Sequence, residues 1–179
     1  DDGSALAVIE YRTDGSQRVL LLDPDYGTVQ AGWAVPAGLQ FTQTAWLDGV
    51  LYAVGVGQGG YGLWRHLEGD AWEEVLAPSA QKLARFCSGD GALEWVSDRT
   101  GVNELYSFDP SGGRLLQRTS TRYGATDFCR AGEVLYCTSQ TLDGKMLFRL
   151  SADDLLRREA VYSHLSAHPI EEKLREQEE

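Results

Sequence analysis

The chain has 179 residues, 42% of them hydrophobic and 10% aromatic, which is enough apolar material for a folded core and too much for a disordered tail. Its formal net charge of -11, from 27 acidic against 16 basic residues, repels phosphate backbones and acidic lipid surfaces. Nucleic acid is therefore not an expected partner. Nor is membrane insertion expected, since no run approaches the roughly 18 apolar residues that span a bilayer.

In chain order, short runs rich in β-branched and aromatic residues are cut by Gly, Asp and Pro, which is the pattern of strands and tight turns. The first stretch predicts strands at residues 5–11, 18–23 and 28–33. The second predicts 41–47, 50–56, 62–67 and 72–76, with turns at Asp48-Gly49 and in the glycine-rich Gly55 to Gly62 segment. The third predicts 82–88, 92–97, 103–109 and 114–119, separated by Gly89-Asp90-Gly91, Asp98 to Gly101 and Pro110-Ser111-Gly112-Gly113. The fourth predicts 126–130, 134–139, 146–150 and 156–162. The chain then reads His168-Pro169-Ile170-Glu171-Glu172, a helix start by its Pro and acidic first turn, with only Ile170 and Leu174 apolar.

These stretches superimpose without a gap at a spacing of 42 residues. Leu21-Leu22, Leu63-Trp64, Leu105-Tyr106 and Leu147-Phe148 share one pair of positions. Ile9-Glu10, Leu51-Tyr52, Leu93-Glu94 and Leu135-Tyr136 share another. Four antiparallel strands repeated at this period predict an all-β fold, a β-propeller of about four blades. Approximate blade boundaries are 1–38, 39–80, 81–122 and 123–165, with an acidic helical tail at 166–179. Asp2-Gly3 stands where Asp48-Gly49 and Asp90-Gly91 stand, so the first blade is expected to lack its innermost strand. The ring is expected to be unfinished, completed by another stretch of chain, a second copy or a partner.

The third repeat contains Ser97-Asp98-Arg99-Thr100-Gly101, then the aromatic strand around Tyr106 and Phe108, then Asp109-Pro110-Ser111-Gly112-Gly113. This resembles the TolB-like (PD40-type) propeller repeat, which also occurs in the propeller domains of prolyl-oligopeptidase-type and tricorn-type peptidases. The match is close over one blade and looser elsewhere: Ser88-Gly89-Asp90-Gly91 lacks the usual proline. The resemblance implies a propeller that either binds other proteins or gates a serine peptidase whose catalytic domain lies outside this sequence. In the turn itself, Asp98 is expected to accept backbone N–H groups, and Arg99 to reach a carboxylate on a neighbouring blade.

No catalytic, cofactor-binding or metal-binding residue is assigned. There is no Gly-x-Ser-x-Gly elbow, and His66, His164 and His168 fall at strand ends or in the tail. Glu73-Glu74 and Asp153-Asp154 are adjacent pairs whose side chains diverge in a strand or mark a turn. The segment from Gly55 to Gly62 lacks the Lys-Ser/Thr ending of a phosphate loop and reads as a hairpin tip. Cys87, Cys129 and Cys137 lack metal or redox spacing and read as small core thiols. Of five tryptophans, Trp33 and Trp72 are the candidates for exposed stacking. The expected function is a non-catalytic module that binds protein or peptide, or self-associates through open ends. It is expected to be soluble, in cytoplasm or periplasm, with no cofactor.

Overall fold

In the computed structural model, which describes residues 3–132 and 134–162, the Gly and Asp punctuation produces short antiparallel strands. The first repeat gives β1 (Leu6–Tyr11), β2 (Gln17–Leu22) and β3 (Val29–Ala34). The second gives β4 (Gln40–Leu47), β5 (Val50–Gly57), β6 (Gly60–His66) and β7 (Trp72–Ser79). The third gives β8 (Ala84–Gly89), β9 (Ala92–Ser97), β10 (Glu104–Asp109) and β11 (Arg114–Gln117). The fourth gives β12 (Ala125–Ala131), β13 (Val134–Thr141) and β14 (Gly144–Leu150), then a 3-10 turn at Ala152–Asp154 and β15 (Arg158–Ala160). They form four sheets, ordered β1-β2-β3, β4-β5-β6-β7, β15-β11-β10-β9-β8 and β12-β13-β14. The chain divides into two compact units, with the break between Pro78 and Ser79.

Asp48-Gly49 and Asp90-Gly91 each close a two-residue hairpin, with φ of 50° and 75° in the first and 54° and 68° in the second. Left-handed backbone at both central residues is the type I′ turn, whose twist matches that of its strands. The 42-residue period extends to irregularities. Register slips between Phe41 and Gln43 in β4, between Ala84 and Cys87 in β8, and between Ala125 and Asp127 in β12. Each slip is a bulge in the first strand of its sheet, where the extra residue increases local twist.

The first unit is packed around Val19, Phe41, Leu51, Ala53 and Trp64. Gly55 and Gly62 oppose each other across β5 and β6, and a Cβ on either would lie 2.6 or 2.7 Å from the Trp64 ring. Their missing side chains leave the slot that the indole fills. In the second unit β9 and β10 are covered on both faces, so their buried residues run consecutively rather than alternating.

One predicted strand changes sheet. Residues 156–162 were expected as the fourth strand of the fourth blade, but β15 pairs with β11, as Leu115↔Ala160, Leu116↔Glu159 and Gln117↔Arg158. The cause lies just upstream. Ser151 and Asp154 form a capping box that turns the chain, and Leu155 buries itself with Leu105 and Leu135. Leu156 N then donates to the Arg118 carbonyl at 2.9 Å, which sets the new pairing. Among the described residues the third sheet thus has five strands and the fourth three. The helix expected at 166–179 lies outside the described residues.

Candidate functional site: a polar cleft and an apolar sheet edge

The Ser-Asp-Arg turn is structural. Asp98 Oδ1 accepts the Lys82 N–H at 3.2 Å, and Gly101 N donates to the Asp98 carbonyl at 2.8 Å. Among the described residues Arg99 reaches no carboxylate: its guanidinium lies 5.3 Å from the centre of the Tyr106 ring and donates to the Val161 carbonyl. Burial holds that guanidinium below the ordinary arginine range. Arg99 therefore ties the turn to the segment after β15, within its own unit.

Trp33 and Trp72 are half-buried rather than exposed. His66 packs between them at ring distances of 4.0 and 5.0 Å, tilted against Trp33 and edge-on to Trp72, and its Nε2 lies 2.8 Å from the Gly69 carbonyl. Trp72 Nε1 donates to the Ala34 carbonyl at 3.1 Å, which spends its polar edge. His164 and His168 lie outside the described residues. The glycine-rich segment forms the β5–β6 hairpin with Gln58-Gly59 at its tip. Of the thiols, Cys137 is buried and Cys87 partly so, but Cys129 is exposed and is no core residue. Burial pushes the Cys87 thiol up to about 11, so it is protonated and unreactive at neutral pH. Among the described residues no three His, Cys, Asp or Glu side chains converge to hold a metal ion.

Two surfaces of the second unit stand out. The first is a cleft of about 320 Å³ on the third sheet, built on the β8–β9 hairpin and the outer strands β11 and β15. In its wall the Glu94 side chain is 1% exposed and meets Arg130 of β12 in a bidentate pair. Arg130 Nε donates to Oε2 at 2.9 Å and Nη2 to Oε1 at 2.5 Å. That hydrogen bonding pushes the Arg130 guanidinium above its usual range, against the opposing effect of burial. Gly89 makes the approach possible: a Cβ there would lie 2.8 Å from Arg130 Cδ and Nε. Arg114, Arg118 and Arg157 line the cleft with Ser107, while Asp90, Asp109 and Glu159 supply acids. Asp109 Oδ1 is committed to its turn, accepting Ser111 N and Gly112 N at 2.9 and 3.0 Å. Arg118 is 9% exposed, and its buried Nε has no hydrogen-bond partner among the described residues. Burial lowers its pKa, and Glu94 nearby offsets part of that.

The second surface is the fourth sheet. With β15 gone to the third sheet, β14 is an edge strand among the described residues. It carries Met146, Leu147 and Phe148, at 47%, 67% and 38% exposure. Beside the edge a pocket of about 350 Å³ is lined by Tyr123, Cys137, Phe148 and Leu150. Tyr123 is brought there by the β11–β12 connection, which the buried Glu104 carboxylate fastens by accepting Thr121 N at 2.5 Å and Thr121 Oγ1 at 3.0 Å. Ser139 Oγ donates to the Gly124 carbonyl at 2.7 Å and closes the same connection onto β13. Sequence reading assigned no role to either surface. The signals present were an acid at a position where neighbouring repeats have Tyr52 and Tyr136, and three consecutive apolar residues in β14.

No family model matches the chain, and no curated protein matches it in sequence. Solved structures match in shape. The TolB protein of Acinetobacter baumannii superimposes with a TM-score of 0.65 at 16% identity, over 94% of this chain and 43% of that one. A putative TolB from Agrobacterium tumefaciens gives 0.67 at 16% identity, over 88% and 61%. The fold is that of TolB-like β-propeller blades. A prolyl endopeptidase structure gives 0.59 at 18% identity, over 94% of this chain and 26% of the other. The chain thus spans at most 61% of the length of these three structures. The TolB-like blades carry both surfaces described above on the unit that follows Pro78.

Proposed function

We propose that the chain is a non-catalytic propeller module that binds an extended protein or peptide segment along the fourth sheet. The observation that carries this reading is the β14 edge, unpaired among the described residues, with Met146 and Phe148 beside the apolar pocket at Tyr123 and Leu150. An exposed edge offers a row of backbone donors and acceptors to an incoming strand. Alternate side chains of that strand point to one face, so every second residue of the ligand reaches the pocket. Affinity comes from the backbone pairing and selectivity from the apolar side chains.

The test is selection of random displayed peptides on the immobilised chain, followed by calorimetry of the enriched sequences. Peptides alternating apolar and polar residues are expected, with Phe148→Lys weakening them at least tenfold. Enriched peptides that bind Phe148→Lys as well as the parent would remove this surface from the reading. A second reading, that the blades gate entry to a serine peptidase, draws on the likeness to the prolyl endopeptidase. A polypeptide that continues into a hydrolase domain carrying a nucleophile elbow favours that one.

A further inference from the structure

The third-sheet cleft is a separate surface, and Arg118 is the residue in it that departs from the repeat. One period upstream the same position is Leu76, which is buried in the second sheet. A buried charged donor with no acceptor is costly and persists where something uses it. Among the described residues no group accepts from the Arg118 Nε, although the Glu94 carboxylate is near enough to favour its charge. Glu94 is taken up by Arg130 in two hydrogen bonds, and Asp109 Oδ1 is held by the Ser111 and Gly112 amides. Arg114 and Arg157, both exposed at the mouth, form no ion pair among the described residues.

Around the cleft the charges are sorted. The buried floor presents the Arg118 guanidinium, the Ser107 hydroxyl and the Glu94 carboxylate, whose charge Arg130 meets in a bidentate pair, while the exposed rim adds Asp90 and Glu159 to the two outer arginines. A ligand with one negative charge at its leading end and hydrogen-bond donors behind it matches that order. A phosphate, carrying close to two charges, meets the rim acids as well as the arginines. The volume, about 320 Å³, stands at the small end of ligand sites. We propose that this cleft binds a carboxylate, with Arg118 at the floor as its main partner and Arg114 and Arg157 closing over it. Two sources supply that chemistry: the C-terminal end of a peptide and a free small acid.

The test uses the full chain, ¹⁵N-labelled, with the arginine Nε–H resonances and backbone amides followed by NMR. N-acetylglycine is expected to move the Arg118 Nε–H and the Ser107 and Leu116 amides to saturation, and N-acetylglycinamide to leave them in place. Arg118→Leu, which installs the residue type of the preceding repeat, keeps the dispersed spectrum and loses at least tenfold of the amide response. An acetylated tripeptide with a free C-terminus that binds at least tenfold more tightly than N-acetylglycine assigns the site to peptide ends; equal binding assigns it to free small acids. The proposal is overturned if the amide acts like the acid, if inorganic phosphate binds more tightly than the carboxylates, or if Arg118→Leu retains the response.

Discussion

The second and third sheets share a hairpin skeleton and differ in what occupies two matching positions. Tyr52 and Leu76 are buried and make the second sheet apolar there; one period later the chain has Glu94 and Arg118, equally buried. The Asp-Gly turns, the bulges and the strand order β4-β5-β6 and β8-β9-β10 are the same in both. The repeat is therefore the scaffold, and the departures from it mark the places where the molecule has spent stability on something else. Polar groups at buried positions cost free energy unless paired, so a scaffold under selection for folding alone has no reason to keep them.

The strongest way to break the comparison is at the paired departure. Glu94→Ala leaves the Arg130 guanidinium, 15% exposed, without its partner. Removing one member of a buried pair costs about 3–5 kcal/mol, measurable as a shift in the denaturant midpoint. Replacing both members with apolar residues of similar volume is expected to recover most of that loss. A Glu94→Ala cost below about 1 kcal/mol would mean that the pair is not desolvated as the geometry shows.

A smaller effect sharpens the other side of the comparison. Gly62→Ala places a methyl 2.7 Å from the Trp64 ring and 2.9 Å from the Leu76 carbonyl. Overpacking of this kind costs about 1–3 kcal/mol, again read by denaturant unfolding. Because the change sits in the second sheet, the carboxylate response of the third-sheet cleft is expected to survive it. Joint loss of stability and response would contradict the assignment of separate tasks to the two sheets.

Much of the scaffold was legible because it is local. The Asp-Gly loops, the apolar runs and the 42-residue register placed the strands from β1 to β14. What failed was decided by contacts remote in sequence. β15 left its expected sheet because Leu155 found Leu105 and Leu135, and because Leu156 met the Arg118 carbonyl. Neither surface could be assembled from spacing. Glu94 and Arg130 are 36 residues apart, and that the Arg118 Nε finds no partner among the described residues is a property of the folded molecule. In β14 the consecutive apolar run Met146-Leu147-Phe148 gives no sign by itself of the exposure that the structure shows. The resemblance to TolB-like repeats rested mainly on the third repeat, where Arg99 turned out to serve a carbonyl and an aromatic ring.

The unpaired departure gives the most direct measurement. Arg118→Leu restores the residue type found one repeat earlier and removes a buried guanidinium whose Nε has no partner among the described residues. If the third sheet keeps Arg118 for a ligand, the variant unfolds at higher denaturant than the parent, a gain of about 1 kcal/mol or more, since apolar replacement of a buried charge is often stabilising. A loss of stability of similar size would show that Arg118 supports the fold, and would contradict the division between repeat and departure.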